Sequence, residues 1–157
     1  MSESTPSTPS TPSTPSTPGT GQRRRAREVA FRVAYQADVA GDSYRFAGEL
    51  RAPEEDLSDD QRELVTDLVH ALEARGAEID TMLRASAEHW PLNRLAATDR
   101  AVLRVAVAEL LARPGSPARV VIDESIEIAR RYGSEESGRF VNGVLDKAAR
   151  QLRAAEF

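Results

Sequence analysis

The stretch VVIDESIEIARRYGSEESGRFVNGVLDKAAR, residues 120–150, decides the fold of this chain. Apolar side chains recur every three or four residues on both sides of Gly133, which is the spacing of the buried face of a helix. Gly133 is suited to end one helix, and Ser134 can cap the N-terminus of the next. The stretch therefore predicts two amphipathic helices joined by a short polar turn.

The glycines of this stretch twice imitate a phosphate-binding loop. Gly133 and Gly138, and then Gly138 and Gly143, have the spacing G-x-x-x-x-G. A phosphate-binding loop continues with Lys and then Ser or Thr, whereas this chain continues with Arg139-Phe140 and Val144-Leu145. No nucleotide site is predicted here. Gly143 instead lies inside the last helix, where a glycine suggests a close approach of another backbone.

Helical periodicity extends over the rest of the chain from Gln22 onward, and no segment alternates with the period of two that strands require. A fifth helix, apolar nearly all round, is expected at the centre of the fold. About seven helices are predicted in all, which makes the fold class all-α. The predicted boundaries are Gly41 for the end of helix one, around Tyr44 to Leu50 for helix two, a cap at Ser58 and an end near Gly76 for helix three, Trp90-Pro91 for the end of helix four, Thr98-Asp99 for the cap of helix five, and Ser116-Pro117 for the start of helix six.

The N-terminal segment has a different composition. Residues 4–18 are five copies of Ser-Thr-Pro, and a proline at every third position excludes a helix and favours extended chain. The segment has no apolar side chain to bury. We therefore divide the chain into a disordered tail at residues 1–21 and one helical domain at residues 22–157.

The composition argues against an enzyme. The chain has no cysteine, which excludes thiol nucleophiles and thiolate metal sites and is typical of a protein from a reducing compartment. Its two histidines, His70 and His89, have no second ligand or nucleophile at a suitable spacing. No catalytic residue, metal site or cofactor is predicted. The absence of a signal peptide or an apolar run long enough for a membrane span predicts a soluble cytoplasmic protein.

Charge is distributed unevenly along the chain. The formal net charge is −4, yet residues 22–37 hold five arginines against the single carboxylate of Glu28. Residues 42–88 hold thirteen carboxylates against five arginines. A basic strip on an acidic body attracts a polyanion to one place and repels it elsewhere, so the strip indicates a nucleic-acid contact.

Three blocks together resemble the NusB family of bacterial transcription antitermination factors. They are RRRAREVAFRVAYQAD at residues 23–38, DRAVLRVAVAELL at residues 99–111, and the opening stretch at residues 120–150. The resemblance implies two small helical bundles packed across each other. It also implies a non-catalytic protein that binds the boxA element of nascent ribosomal RNA as a single strand, together with the small-subunit ribosomal protein NusE. Other Nus factors and RNA polymerase would complete the assembly that elongates past terminators.

The resemblance also implies roles for particular residues. Phosphate contacts would come from the basic strip, and the start of the last helix would complete the RNA surface, with the Phe140 ring offering a stacking face or lying mainly in the core. The residues carried over for RNA are Arg23, Arg24, Arg25, Arg27, Glu136, Ser137, Arg139 and Phe140. Those carried over for the ribosomal partner are Tyr35 and Asp99.

Two other functions fit the same sequence. Some ribosomal RNA methyltransferases carry a similar RNA-binding accessory domain, although this chain has no βαβ region or glycine-rich cofactor loop. A helical protein-interaction adaptor with incidental arginines is the other alternative. The sequence does not fix the oligomeric state, and the predicted partner face is apolar enough for a homodimer to form through it.

Overall fold

A computed structural model of the protein describes residues 20–157, which form seven α-helices and no β-strand. Short 3₁₀ turns lie at residues 52–54, 92–94 and 154–156. The Ser-Thr-Pro repeats lie outside the described residues, and the first helix begins two residues before the predicted boundary at Gln22. The helices are α1 (Thr20–Ala40), α2 (Tyr44–Arg51), α3 (Asp59–Ala74), α4 (Gly76–Ser86), α5 (Ala97–Ala112), α6 (Ala118–Tyr132) and α7 (Glu135–Leu152).

The helices form two small bundles, as predicted, and both pack against α5. Helices α1, α2 and α3 pack together, and α4, α6 and α7 form the second group. Helix α5 contacts α1 and α3 on one side and α4, α6 and α7 on the other. Leu103 and Val107 of α5 are fully buried, and one main apolar core runs from Ala26 of α1 to Ala149 of α7. The prediction of a central fifth helix is confirmed.

Several predicted helix ends are confirmed by their hydrogen bonds. Ser58 and Gln61 form both bonds of a capping box at the start of α3. The Ser134 hydroxyl accepts a hydrogen bond from the Ser137 N–H at 3.1 Å, and Gly133 follows the last residue of α6. Gly41 follows α1 with a φ of 75°, the left-handed conformation that favours glycine.

Other predicted ends are wrong. Helix α4 stops at Ser86, before the predicted end at Trp90-Pro91, whereas α3 stops at Ala74, close to the predicted end near Gly76, which begins α4. Helix α5 begins at Ala97 without a side-chain cap, so Thr98-Asp99 lie inside its first turn. Only Arg75 separates α3 from α4, whereas residues 87–96, with a 3₁₀ turn at Leu92–Arg94, connect α4 to α5.

The cap of α6 comes from the far end of the chain rather than from Ser116. The Ser116 hydroxyl donates to the buried carboxylate of Glu109 at 2.8 Å. The Ala118 N–H at the start of α6 donates to the Glu156 carboxylate at 2.8 Å, and Glu156 also pairs with Arg153. Arg153 in turn donates to the carbonyl of Leu110 in the last turn of α5 and to those of Arg113 and Ser116 in the α5–α6 connection.

Glu156 should make the stability of the protein depend on pH. The hydrogen bond from the Ala118 N–H, followed by that from Arg153, lowers the pKa of Glu156 below its ordinary value. A carboxylate with a lowered pKa stabilises the fold above its unfolded-state pKa and loses that effect as the pH falls through the folded-state value. We expect Glu156→Gln to melt below the unaltered protein at pH 7 and the difference to close below about pH 4. A difference that stays constant with pH would contradict this role.

Tight contacts occur at Gly133, against the backbone of Ala129, and at Gly138, against the Arg130 side chain, but not at Gly143. A Cβ added at Gly138 would lie 2.9 Å from Cγ of Arg130 on α6. A Cβ at Gly143 would meet nothing within 4 Å, and both Gly143 and Asn142 are exposed. The predicted packing role of Gly143 is therefore wrong, and Gly138 is the glycine at the α6–α7 contact.

Gly133 and Gly143 provide a matched pair of alanine substitutions. A Cβ at Gly133 would lie 2.9 Å from the Ala129 carbonyl oxygen and 2.6 Å from the Ser137 hydroxyl, and the backbone oxygen cannot move aside. We expect Gly133→Ala to lose about 1–3 kcal/mol of unfolding free energy. Gly143→Ala should gain about 0.5–1 kcal/mol, since alanine favours a helix and has free space here. Urea titration of both variants measures this, and equal effects would contradict it.

Candidate nucleic-acid interface

The arginine strip at the start of α1 does not form one surface. Arg23, Arg24 and Arg25 are exposed, and the last two point to different neighbours. Arg24 donates two hydrogen bonds to Glu124 on α6, at 2.8 and 3.0 Å. Arg25 pairs instead with Glu55, in the connection between α2 and α3, at 3.1 Å. The hydrogen bonds to Glu124 raise the pKa of Arg24 above its ordinary value, so this side chain stays charged.

Arg27 was predicted to contact phosphate, and its burial contradicts that role. It is 3% exposed, and its guanidinium donates two 2.7 Å hydrogen bonds to Glu109 of α5, which is 1% exposed. The Ser116 hydroxyl donates to the same carboxylate. Because the pair is buried and its polar atoms are engaged, Arg27 belongs to the core and is not available to a phosphate.

Two further arginines, which the sequence analysis did not single out, join Arg24 on the surface. Arg130 and Arg131, at the end of α6, line a concavity of about 390 Å³ together with Arg24. Their partners are carboxylates: Arg131 pairs with Glu28 at 2.6 Å, and Arg130 pairs with Glu127 and Glu135 at 3.1 and 3.3 Å. The sequence signal that indicates them is the adjacent basic pair in the last turn of α6, shortly before Gly133.

The first turn of α7 continues from this concavity toward a second one of about 520 Å³. Ser137, Glu136 and Phe140 line it, together with Trp90 and Asp99. Glu136 is exposed and forms no ion pair with another described residue, while the Ser137 backbone is held by Ser134. Phe140 is half-buried against the main core and meets the Trp90 ring edge to face, with centroids 6.2 Å apart. Its ring therefore serves the core and the surface at once.

Arg139 lies on the other side of the Phe140 ring. It lines a third concavity, of about 270 Å³, between α4 and α7, together with Lys147 and Trp90. Trp90 was not among the predicted site residues, although it is 58% exposed. A lone tryptophan followed by proline, outside every apolar stripe, was the available signal.

The two residues assigned to a protein partner are placed apart. Tyr35 is half-buried and lines an apolar concavity of about 490 Å³ with Phe31 and Val39 on α1. Asp99 lies instead in the concavity with Glu136 and Phe140. Its neighbour Thr98 lines the Tyr35 concavity, so the first turn of α5 separates the two surfaces. The Asp99 Oδ1 atom is buried and has no hydrogen-bond partner among the described residues.

No metal centre is formed within residues 20–157, where no group of three or more potential ligands is clustered. His70 and His89 are both exposed, the first on α3 and the second in the turn that follows α4. In the same part of the chain, no helix combines the length and apolar composition that crossing a bilayer requires. The chemistry available at the concavities is therefore that of arginines, carboxylates and aromatic rings.

Comparison with known protein families matches residues 24–150 to the NusB family. A protein named transcription antitermination protein NusB from Koribacter versatilis is 45% identical over 136 residues, covering 86% of this chain and 93% of that protein. A protein of the same name from Anaeromyxobacter dehalogenans is 43% identical over 141 residues, covering 87% of this chain and 96% of that protein.

Solved structures give the same result. The structure of T. maritima NusB superposes with a TM-score of 0.75 at 36% identity, covering 82% of this chain and 91% of that one. A chain from the crystal structure of the antitermination factors NusB and NusE in complex with dsRNA superposes with a TM-score of 0.68 at 28% identity. That match covers 85% of this chain and 99% of the other.

Proposed function

The chain belongs to the NusB family, and from this premise we propose that it is a non-catalytic, RNA-binding transcription antitermination factor. Two relatives more than 40% identical are named for antitermination, and a solved relative is held with NusE and dsRNA. The match covers nearly the whole helical domain.

The RNA proposed for this chain is the boxA element of nascent ribosomal RNA, bound as a single strand in the cytoplasm. One observation carries the proposal: the Arg24, Arg130 and Arg131 concavity leads to the first turn of α7, and the Phe140 ring in the next turn is partly exposed. Proteins bind single-stranded RNA with cationic side chains placed along the RNA backbone and with aromatic rings that stack on the bases. The carboxylate partners of these arginines are exchanged for phosphates when the RNA binds.

The protein partner proposed is the ribosomal protein NusE, with other Nus factors and RNA polymerase completing the assembly. The apolar concavity lined by Phe31, Tyr35 and Val39 is the surface offered to it, and Val39 is 63% exposed there. An exposed apolar side chain beside a half-buried tyrosine is typical of an interface core. Size-exclusion chromatography with and without NusE distinguishes a heterodimer from a homodimer formed through the same face.

The function is tested with labelled boxA RNA and a scrambled RNA of the same composition. Fluorescence anisotropy is recorded at several salt concentrations, with and without NusE. We expect tighter binding of the boxA sequence and an affinity that falls as salt rises, since phosphate contacts release counterions. Equal affinity for both RNAs would show that the protein binds RNA only by charge attraction, without recognising boxA. No binding even with NusE would exclude the proposed function.

Glu136 should weaken RNA binding in the unaltered protein. Its carboxylate is exposed beside Ser137 and Phe140 and has no cationic partner among the described residues, so it repels a phosphate that comes near. We expect Glu136→Asn to tighten RNA binding by up to about fivefold, the range of an exposed charge interaction. Glu49→Gln on α2, where the carboxylate is also exposed, should leave the affinity unchanged. Weaker binding by Glu136→Asn would contradict this placement.

A further inference from the structure

We propose that Trp90 is a second base-stacking residue of the RNA site, and that the strand continues past it into the groove between α4 and α7. This inference rests on the proposed function and extends it to a segment outside the residues that the family resemblance supplied. The groove is lined by Trp90, Phe140, Arg139, Gly143 and Lys147. Its occupant is the single-stranded RNA that has already passed the first turn of α7.

Trp90 is held in an exposed position by its surroundings. The residue is 58% exposed. Its backbone N–H donates to the Ala87 carbonyl at 2.9 Å, and Pro91 restricts the backbone that follows. Its ring meets Phe140 at an interplanar angle of 83°, so the edge of one ring contacts the face of the other. A large ring supported in this way presents apolar surface without the entropic cost of being ordered on binding.

The two rings form a ridge between two concavities. Trp90 and Phe140 both line the concavity that contains Ser137, and both line the groove between α4 and α7. A strand that leaves the first turn of α7 must cross this ridge to enter the groove. Bases have a π-face whatever their identity, so a ridge of two rings accepts a base without requiring one sequence.

The charges favour phosphates on the α4–α7 side of the ridge. Arg139 is exposed and forms no ion pair with another described residue. Lys147 pairs with Glu88 at 3.6 Å, and both side chains are more than half exposed, so a phosphate can replace this weak partner. On the other side of the ridge, the concavity has two carboxylates, Glu136 and Asp99, and one arginine, Arg94. The backbone of the strand therefore gains more from the groove that holds Arg139 and Lys147.

Gly143 keeps this groove open. Nothing lies within 4 Å of the place where its Cβ would be, and the residue is exposed on the outer face of α7. It is one helical turn from both Arg139 and Lys147, so it lies between the two cations. A large side chain at this position would fill the groove without touching the core.

The test uses the single tryptophan of the chain as its own reporter. A boxA RNA of about 12 nucleotides is titrated into the full-length protein while the tryptophan fluorescence is recorded, and its affinity is measured separately by anisotropy. We expect the fluorescence to be quenched in proportion to binding. Trp90→Ala should weaken binding about 5- to 100-fold, the value of one stacked base, and Trp90→Phe should recover most of it.

Two matched variants complete the test. Phe46→Ala removes a ring that is 49% exposed on α2, far from the groove, and should leave affinity unchanged. Lys147→Gln should flatten the slope of log K against log salt by about 0.7. Melting temperatures show whether each variant is folded. If Trp90→Ala does not fold, the tryptophan quenching of the unaltered protein still tests the stacking role of Trp90.

The outcomes separate this inference from the proposed function. RNA binding without quenching, or with the same affinity in Trp90→Ala, would overturn the stacking role while leaving the proposed function intact. Quenching with an unaltered salt slope in Lys147→Gln would overturn the path through the α4–α7 groove. No binding of boxA RNA by the unaltered protein would remove both.

Discussion

Arg27→Met is expected to lower the free energy of unfolding by about 3–5 kcal/mol, the cost of leaving one partner of a buried ion pair alone. Arg27 and Glu109 are 3% and 1% exposed and are joined by two hydrogen bonds of 2.7 Å. Methionine fills a similar volume but offers the carboxylate no donor. Only the Ser116 hydroxyl would then stabilise a charge that water cannot reach. Urea unfolding followed by circular dichroism measures the loss.

The double variant Arg27→Met, Glu109→Leu is the control for this prediction. Removing both charges restores most of the stability, because two apolar side chains of similar volume replace a pair whose desolvation is costly. Arg75→Met, which breaks an exposed pair with Glu78, should change the stability far less, because an exposed ion pair contributes little. A loss of that small size in Arg27→Met would show that the buried pair contributes no more than a surface one.

The triple variant Arg24→Gln, Arg131→Gln, Arg139→Gln is expected to flatten the salt dependence of RNA binding by up to about 2 in log K against log salt. Each neutralised phosphate contributes about 0.7 on a single strand, and the three arginines lie along the proposed path. Anisotropy titrations of boxA RNA between low and moderate salt give the slope.

A control with the same change of charge replaces arginines outside the path. Arg45, Arg75 and Arg119 are surface residues that line none of the RNA concavities. Arg45 lies in α2, after the C-terminal end of α1, and that end is about 24 Å from Arg24 at the helical rise per residue. Their replacement by glutamine should leave the slope nearly unchanged. Equal slopes in the two triple variants would show that only net charge matters.

The fold could be predicted because its signals are local. Three signals determine structure only within a few residues of their own position, and all three were confirmed. They are the amphipathic periodicity, the capping box at Ser58 and the helix junction at Gly133-Ser134. The cap of α6 was mispredicted because its donor is satisfied by Glu156, 38 residues away. Tertiary contacts of this kind leave no mark on local sequence patterns.

The candidate site was predictable only in outline, for the same reason. A run of arginines in the sequence indicates a basic segment but not the direction of each side chain. Arg27 points inward because it pairs with the buried carboxylate of Glu109, 82 residues away in the sequence. Arg130 and Arg131 joined Arg24 because the end of α6 packs beside the middle of α1, where Arg131 pairs with Glu28 and Tyr132 contacts Phe31. Trp90 became part of the surface through its contact with Phe140, which no spacing in the sequence reveals.

The contacts of Arg153 and Glu156 have a consequence for the synthesis of the protein. Residues 110–118 leave the ribosome well before these two side chains do, and until then the carbonyls of Leu110 and Arg113 and the Ala118 N–H lack their partners. The second bundle is therefore completed only after residue 156 has been translated and released from the exit tunnel. A nascent chain arrested before that point should stay open to proteases at the α5–α6 connection.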